Sequence, residues 1–150
     1  MEFVSLEDVI KFAMEREDTA YKLYTRAAEL SSGPAARKMF EELAAEEATH
    51  KDVFSKIDTE MSDDQKLCKI PETSIANYLT DVTFRPDMSY QDILVYALKT
   101  EDNAYQLYKT AAGMTDDVKL QKVLMTLAEV ELGHRRTIEA IYEKRVLTEG

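Results

Sequence analysis

The sequence predicts an all-α protein, a four-helix bundle made of two repeated helical hairpins joined by one long crossover. Three observations predict it. The composition favours long helices, with only 4 Gly and 3 Pro in 150 residues and abundant Ala, Glu, Lys, Leu and Met. The chain overlays itself when displaced by 84 positions, so that EDTAYKLYTRAA at 17–28 falls on EDNAYQLYKTAA at 101–112. Both copies carry apolar residues at helical spacing.

The elements follow in order. Repeat one covers about 5–58. Its first helix opens at Ser5, with Asp8 three residues on, the arrangement of a capping box with Asp in the Glu place. Ile10, Ala13, Ala20, Tyr24 and Ala27 then form one stripe. SSGP at 31–34 breaks the hairpin, and Pro34 suits the first turn of the second helix. That helix carries Ala36, Met39, Phe40, Leu43, Phe54 and Ile57. The crossover spans about 60–88 and contains Pro71, Pro86 and Cys68, with a short helix expected near TSIANYL at 73–79. Such a length lets the second hairpin stack on the first by a pseudo-twofold rotation. Repeat two covers about 89–146. Ser89 and Asp92 repeat the cap, and Leu94, Ala97, Ala104, Tyr108 and Ala111 repeat the stripe. Gly113 and TDD at 115–117 are expected to break this pair. Leu120, Val123, Leu124, Leu127, Ile138 and Ile141 complete the last helix.

Composition also excludes function classes. A net charge of −10 argues against nucleic acid and anionic membranes, both of which need a basic surface. No apolar run approaches the ~20 residues of a membrane span, and the N-terminus has no signal-peptide pattern. The single cysteine permits no intrachain disulfide and no CxxC site. A reducing cytoplasm is the expected compartment.

Polar residues interrupt each apolar stripe at matched positions. Glu17 lies between Ala13 and Ala20, and Glu101 between Ala97 and Ala104. Glu47 precedes His50 by three residues, and Glu131 precedes His134 by three. A Glu and a His three apart share one helix face. One Glu-x-x-His is a weak signal, because a buried His is more often a hydrogen-bonded core residue. The matched set is stronger, since both histidines of the chain belong to it. Four carboxylates converging mid-bundle would have to protonate or find cations. Arg16, Lys22 and Arg26 fall mostly off the stripe. Two divalent metals balance four carboxylates while the histidines stay neutral. The carboxylate-rich N/O set suits iron or manganese better than zinc or copper.

At these residues the chain resembles the ferritin-like di-iron superfamily, most closely rubrerythrin-type domains without a rubredoxin domain. The superfamily pattern is a Glu from each of two helices and a Glu-x-x-His from each of the other two. The matching residues are Glu17, Glu101, Glu47 with His50, and Glu131 with His134. The resemblance implies that Glu47 and Glu131 bridge two iron ions, or manganese or a mixed pair. Glu17 and Glu101 would then be terminal ligands, with one His per metal. Two departures stand out. No cysteine-ligated iron domain follows the bundle before Gly150. The extra Glu that the family places one turn beyond the third-helix ligand is Ala104 here, mirrored by Ala20. The metal shift associated with that Glu is therefore not carried over.

Tyr24 and Tyr108 lie seven residues beyond Glu17 and Glu101 on the same face. They read either as donors to the ligand carboxylates, as the family suggests, or as core aromatics. Tyr21 and Tyr105 read as packing or interface residues. Asp18 and Asp102 read as solvated helix flanks or as groups orienting the histidines. Gly133 reads as a close helix approach or a local opening. The expected function is a di-iron oxidoreductase reducing peroxide or dioxygen, with a separate electron donor such as rubredoxin and a homodimeric assembly. The alternatives are a ferroxidase or iron-handling protein, and a non-catalytic bundle stabilised by its metals.

Overall fold

A computed structural model describes residues 3–66, 69–71, 85 and 87–149. A three-residue strand, β1 (Phe3–Ser5), leads into α1 (Leu6–Leu30) and α2 (Pro34–Glu60). A one-turn helix, α3 (Asp63–Lys66), and a second short strand, β2 (Lys69–Pro71), begin the crossover. The second hairpin is α4 (Tyr90–Met114) and α5 (Val118–Glu149). α1 packs on α2, α4 packs on α5, and α1 lies against α4. This is the expected bundle of two hairpins. The 73–79 segment, Cys68 and Pro86 lie outside the described residues.

The helix ends follow from their caps. Ser5 accepts from the Asp8 amide at 3.1 Å, and Asp8 accepts in return from the Ser5 amide at 3.5 Å. Ser89 accepts from the Asp92 amide, also at 3.1 Å, but the return bond is not formed there. The second cap is thus half the expected box. Pro34 occupies the first turn of α2, where its missing N–H costs nothing. Gly113 does not end α4; the helix runs through it to Met114. The break comes at Thr115, and Asp117 accepts from the Leu120 amide at 3.0 Å to start α5. Gly tolerates the last turn of a helix as readily as the cap, so its presence alone did not fix the boundary.

Two features had no counterpart in the sequence reading. β1 pairs antiparallel with β2, Phe3 opposite Pro71 and Val4 opposite Ile70, which ties the start of the crossover to the chain's beginning. Ser62 and Gln65 exchange amide bonds at 3.2 and 3.0 Å, a capping box that nucleates the single turn of α3.

The apolar core is divided in two. One half gathers Leu6, Ile10, Phe54, Leu107, Tyr108 and Leu124. The other gathers Leu23, Tyr24, Phe40, Ile93, Leu94 and Ile138. Aromatic and aliphatic residues alternate between the repeats. The repeat equivalents of Phe40 and Phe54 are Leu124 and Ile138, and all four are fully buried. Each such side chain contributes roughly 1.5–3 kcal/mol by burial. The polar cluster sits between the two halves, with apolar packing on either side.

Gly133 meets no heavy atom within 4 Å where a Cβ would sit, so it permits no close helix approach. It is simply an exposed glycine inside α5. Replacing Gly133 by Ala is expected to stabilise the protein by about 1 kcal/mol, read as a rise in Tm of roughly 2–4 °C. An unchanged or lowered Tm would show that the backbone there is not regular helix.

Candidate metal centre

The six buried polar side chains reach the centre from four helices. Glu17 comes from α1, Glu47 and His50 from α2, Glu101 from α4, and Glu131 and His134 from α5. The four carboxylates are at most 1% exposed, and the histidines 8% and 6%. The structure brings all six together in two overlapping sets. Glu17, Glu47, His50 and Glu131 offer donor atoms within 4.8 Å of one another, and so do Glu47, Glu101, Glu131 and His134. Glu47 and Glu131 belong to both sets.

Both histidines present Nδ1 to the centre. His50 Nδ1 lies 2.8 Å from Glu131 Oε1 and 3.8 Å from Glu17 and Glu47. His134 Nδ1 lies 2.8 Å from Glu47 Oε1, 3.6 Å from Glu131 and 3.8 Å from Glu101. Each histidine thus makes its shortest central contact with the carboxylate of the opposite hairpin that belongs to both sets. The two rings are nearly parallel, 6.1 Å apart between centroids.

The tyrosines also cross between hairpins. Tyr24 donates to Glu101 and Tyr108 donates to Glu17, each at 2.5 Å. Seven residues of helix rise about 10.5 Å, too far for either tyrosine to reach the glutamate of its own helix. These paired bonds show that α1 and α4 run antiparallel. Of the two readings open for Tyr24 and Tyr108, the donor reading describes the geometry, while Tyr24 stacking on Phe40 at 6.3 Å shows the core reading is also true.

Burial and mutual charge shift the protonation of every member of the cluster. Burial, and then the charges of Glu101 and Glu131, push Glu47 well above the usual carboxylate range. Burial and Glu131 do the same to Glu101, and raise Glu17. Glu131 goes the other way. Its burial is outweighed by the close approach of Glu101, His134 and His50, which hold its carboxyl far below the usual range. Burial works against a charged His50, but hydrogen bonds to Glu131 and Glu17 overcome it and lift the imidazole to about 10. His134 is raised against the same burial by Glu131 and Glu46. Burial and the facing carboxylates, Glu101 and Glu17 respectively, keep Tyr24 and Tyr108 firmly protonated as donors.

Protons do not satisfy every atom. Glu17 Oε2, Glu47 Oε1, Glu101 Oε2, Glu131 Oε2 and His134 Nδ1 are buried and make no well-aligned hydrogen bond among the described residues, although Glu47 Oε1 and His134 Nδ1 face each other at 2.8 Å. An unsatisfied buried polar group costs about 1–3 kcal/mol, more if charged. Five such atoms around one point, all from metal-ligating residue types, fit a pair of divalent ions. Oxygen-rich donors with one imidazole per position suit iron or manganese.

Other sequence candidates fall outside the cluster. Asp18 and Asp102 do not orient the histidines. Asp18 pairs with Lys22 at 3.1 Å and Lys51 at 3.3 Å, and Asp102 with Arg135 at 2.9 Å. Lys51 and Arg135 occupy equivalent repeat positions, so each ion pair clips the two helices of one hairpin. Tyr21 is 42% exposed, and Tyr105 is half-buried beneath Lys109. Arg16 corrects the sequence reading. It is buried rather than off the stripe, with its guanidinium 5.3 Å from the Phe12 ring centroid. Its long stem packs while the head lies on an aromatic face, which helical periodicity of apolar residues does not register. Thr100 and Asn103 are also buried.

One residue of the site escaped the sequence reading. Glu46 Oε2 lies 2.5 Å from His134 Nε2, on the outer side of the ring. It sits beside Glu47 in sequence, off the apolar stripe, and its repeat counterpart is Val130. The only available signal was the doubled glutamate in EEATH.

The fold and its buried cluster define a class, the ferritin-like four-helix bundles that assemble carboxylates and histidines between two hairpins. Solved structures agree on the fold. A Thermotoga maritima protein assigned to the ferritin-like di-iron-carboxylate class superposes with a TM-score of 0.80 at 19% identity, over 97% of this chain and 99% of that one. A hypothetical protein from Pyrococcus furiosus superposes with a TM-score of 0.75 at 23% identity, over 93% and 89%. Curated proteins offer no significant match. Residues 2–58 match the Rubrerythrin family model. The matched stretch is the first hairpin, and the second hairpin repeats its pattern at an offset of 84 residues. Among the described residues, no helix is long and apolar enough to cross a membrane.

Proposed function

We propose that the protein is a di-iron oxidoreductase that reduces peroxide, with electrons from a separate donor such as a rubredoxin. The observation that carries this reading is the sharing of Glu47 and Glu131 by two donor sets. In it, Glu47 and Glu131 would be shared between two ions. Glu17 and His50 complete one position, and Glu101 and His134 the other. When bound, a ferrous pair supplies two electrons from one place, as the two-electron reduction of peroxide requires.

The chain's own residues prepare that place. The Tyr24 and Tyr108 hydroxyls fix one oxygen of Glu101 and Glu17 and leave the other without a hydrogen bond. The two apolar half-cores flank the centre with buried hydrocarbon. The Asp18–Lys51 and Asp102–Arg135 clips hold each histidine-bearing helix in register with its neighbour.

The test is stopped-flow oxidation of the anaerobically prepared di-ferrous protein. Peroxide is expected to oxidise it faster than dioxygen by orders of magnitude. Equal or reversed rates would remove the peroxidase reading in favour of a ferroxidase.

A further inference from the structure

We propose that Glu46 is a positioning residue that makes the two metal positions unequal, so that the His134 position holds its ion more tightly than the His50 position. The inference rests on the metal-centre reading above and concerns a difference within it.

The two histidines are alike toward the centre and unlike behind. His134 Nδ1 faces Glu47, while its Nε2 lies 2.5 Å from Glu46 Oε2, which reaches across from the other hairpin. A carboxylate accepting from Nε2–H fixes the tautomer that leaves the Nδ1 lone pair free for a cation. It also locks the ring plane and strengthens the nitrogen as a donor. The repeat equivalent of Glu46 is Val130, a half-buried side chain with no acceptor. Among the described residues, every ion-pair contact of His50 runs through Nδ1. The rings are otherwise matched in tilt, 11° from parallel, and in burial. Glu46 is thus the clearest departure from twofold symmetry beside the ligands.

An incidental surface pair would give a different outcome. The Glu46 side chain is 56% exposed, and exposed ion pairs contribute little to stability. A supporting carboxylate acts instead on the ion, and its loss typically lowers metal affinity about 10–100-fold.

The experiment is an anaerobic titration of the metal-free full chain with cobalt(II), followed by its visible absorption and by calorimetry. The native protein is expected to bind two equivalents in a tighter and a weaker step. E46A should weaken the tighter step about 10–100-fold, leave the weaker step in place, and leave the Tm of the metal-free protein nearly unchanged. E46Q, which still accepts a hydrogen bond but carries no charge, should fall between. V130E, which supplies the missing carboxylate behind His50, should tighten the weaker step. Two equal steps in the native protein, or an equal response of both steps to E46A, would overturn the proposal. Uptake of less than one equivalent by the native protein would instead remove the metal centre on which it rests.

Discussion

Replacing Glu47 or Glu131 by Ala is expected to abolish binding of both metal ions, whereas replacing Glu17 or Glu101 by Ala should cost only one. The difference follows from membership. Glu47 and Glu131 lie in both donor sets, Glu17 and Glu101 in one each. Metal analysis after anaerobic loading with ferrous iron should find two equivalents in the native chain. It should find well under one in the Glu47 and Glu131 variants, and about one in the others. Glu47→Gln separates ligation from folding. It keeps the side-chain volume and removes a carboxyl whose charged form is opposed by burial and by Glu101. The metal-free Gln variant should therefore melt at or above the native temperature, yet fail to load. A Glu47 variant that loses no more metal than a Glu17 variant would sink the bridging assignment.

The stability gap between the metal-loaded and metal-free forms is expected to widen as pH rises. His50 is lifted from 6.5 to about 10 in the folded protein. A raised value means that the fold holds the proton more tightly than the unfolded chain does. Its contribution is complete below about 6.5 and is lost as pH climbs through about 10. His134, Glu17, Glu47 and Glu101 are raised too and act with the same sign, the glutamates from 4.5 upward. Glu131 is lowered, so its contribution is present above 4.5 and is lost only in acid. The metal-free protein should thus lose thermal stability between about pH 6.5 and 10. Metal requires the same groups without their protons. Affinity should rise about tenfold per pH unit for each proton displaced. Melting curves of both forms across this range, with proton release measured by calorimetry in two buffers, check the expectation. A gap that narrows with pH would refute it.

The central residues were legible because the chain states them twice. Glu17 and Glu101, and the two Glu-x-x-His pairs, are polar interruptions in apolar stripes at one fixed offset, and burial of charge demands a reason. Glu46 was not legible, since its position faces outward along α2 and its repeat partner is a valine. A hydrogen bond across hairpins leaves no periodicity. Arg16 was misjudged for a related reason, because a stripe of apolar residues says nothing about a long cation folded over Phe12. The Phe3–Ser5 and Lys69–Pro71 strands are too short to show alternation. Gly113 and Gly133 were given roles that residue type alone suggests and that local space did not support. The crossed tyrosines were half legible. Their face could be read, but which glutamate each would reach depends on the antiparallel placing of α1 and α4.

That crossing has a historical reading. Every donor set borrows from both hairpins, three residues from one and a single glutamate from the other. An ancestor with one hairpin would have owned no complete site and would have gained one only by pairing with an identical copy. Two such hairpins joined in one chain hold a complete site in one molecule, and each half is free to differ from the other. Position 46 and its valine twin record a place where they do.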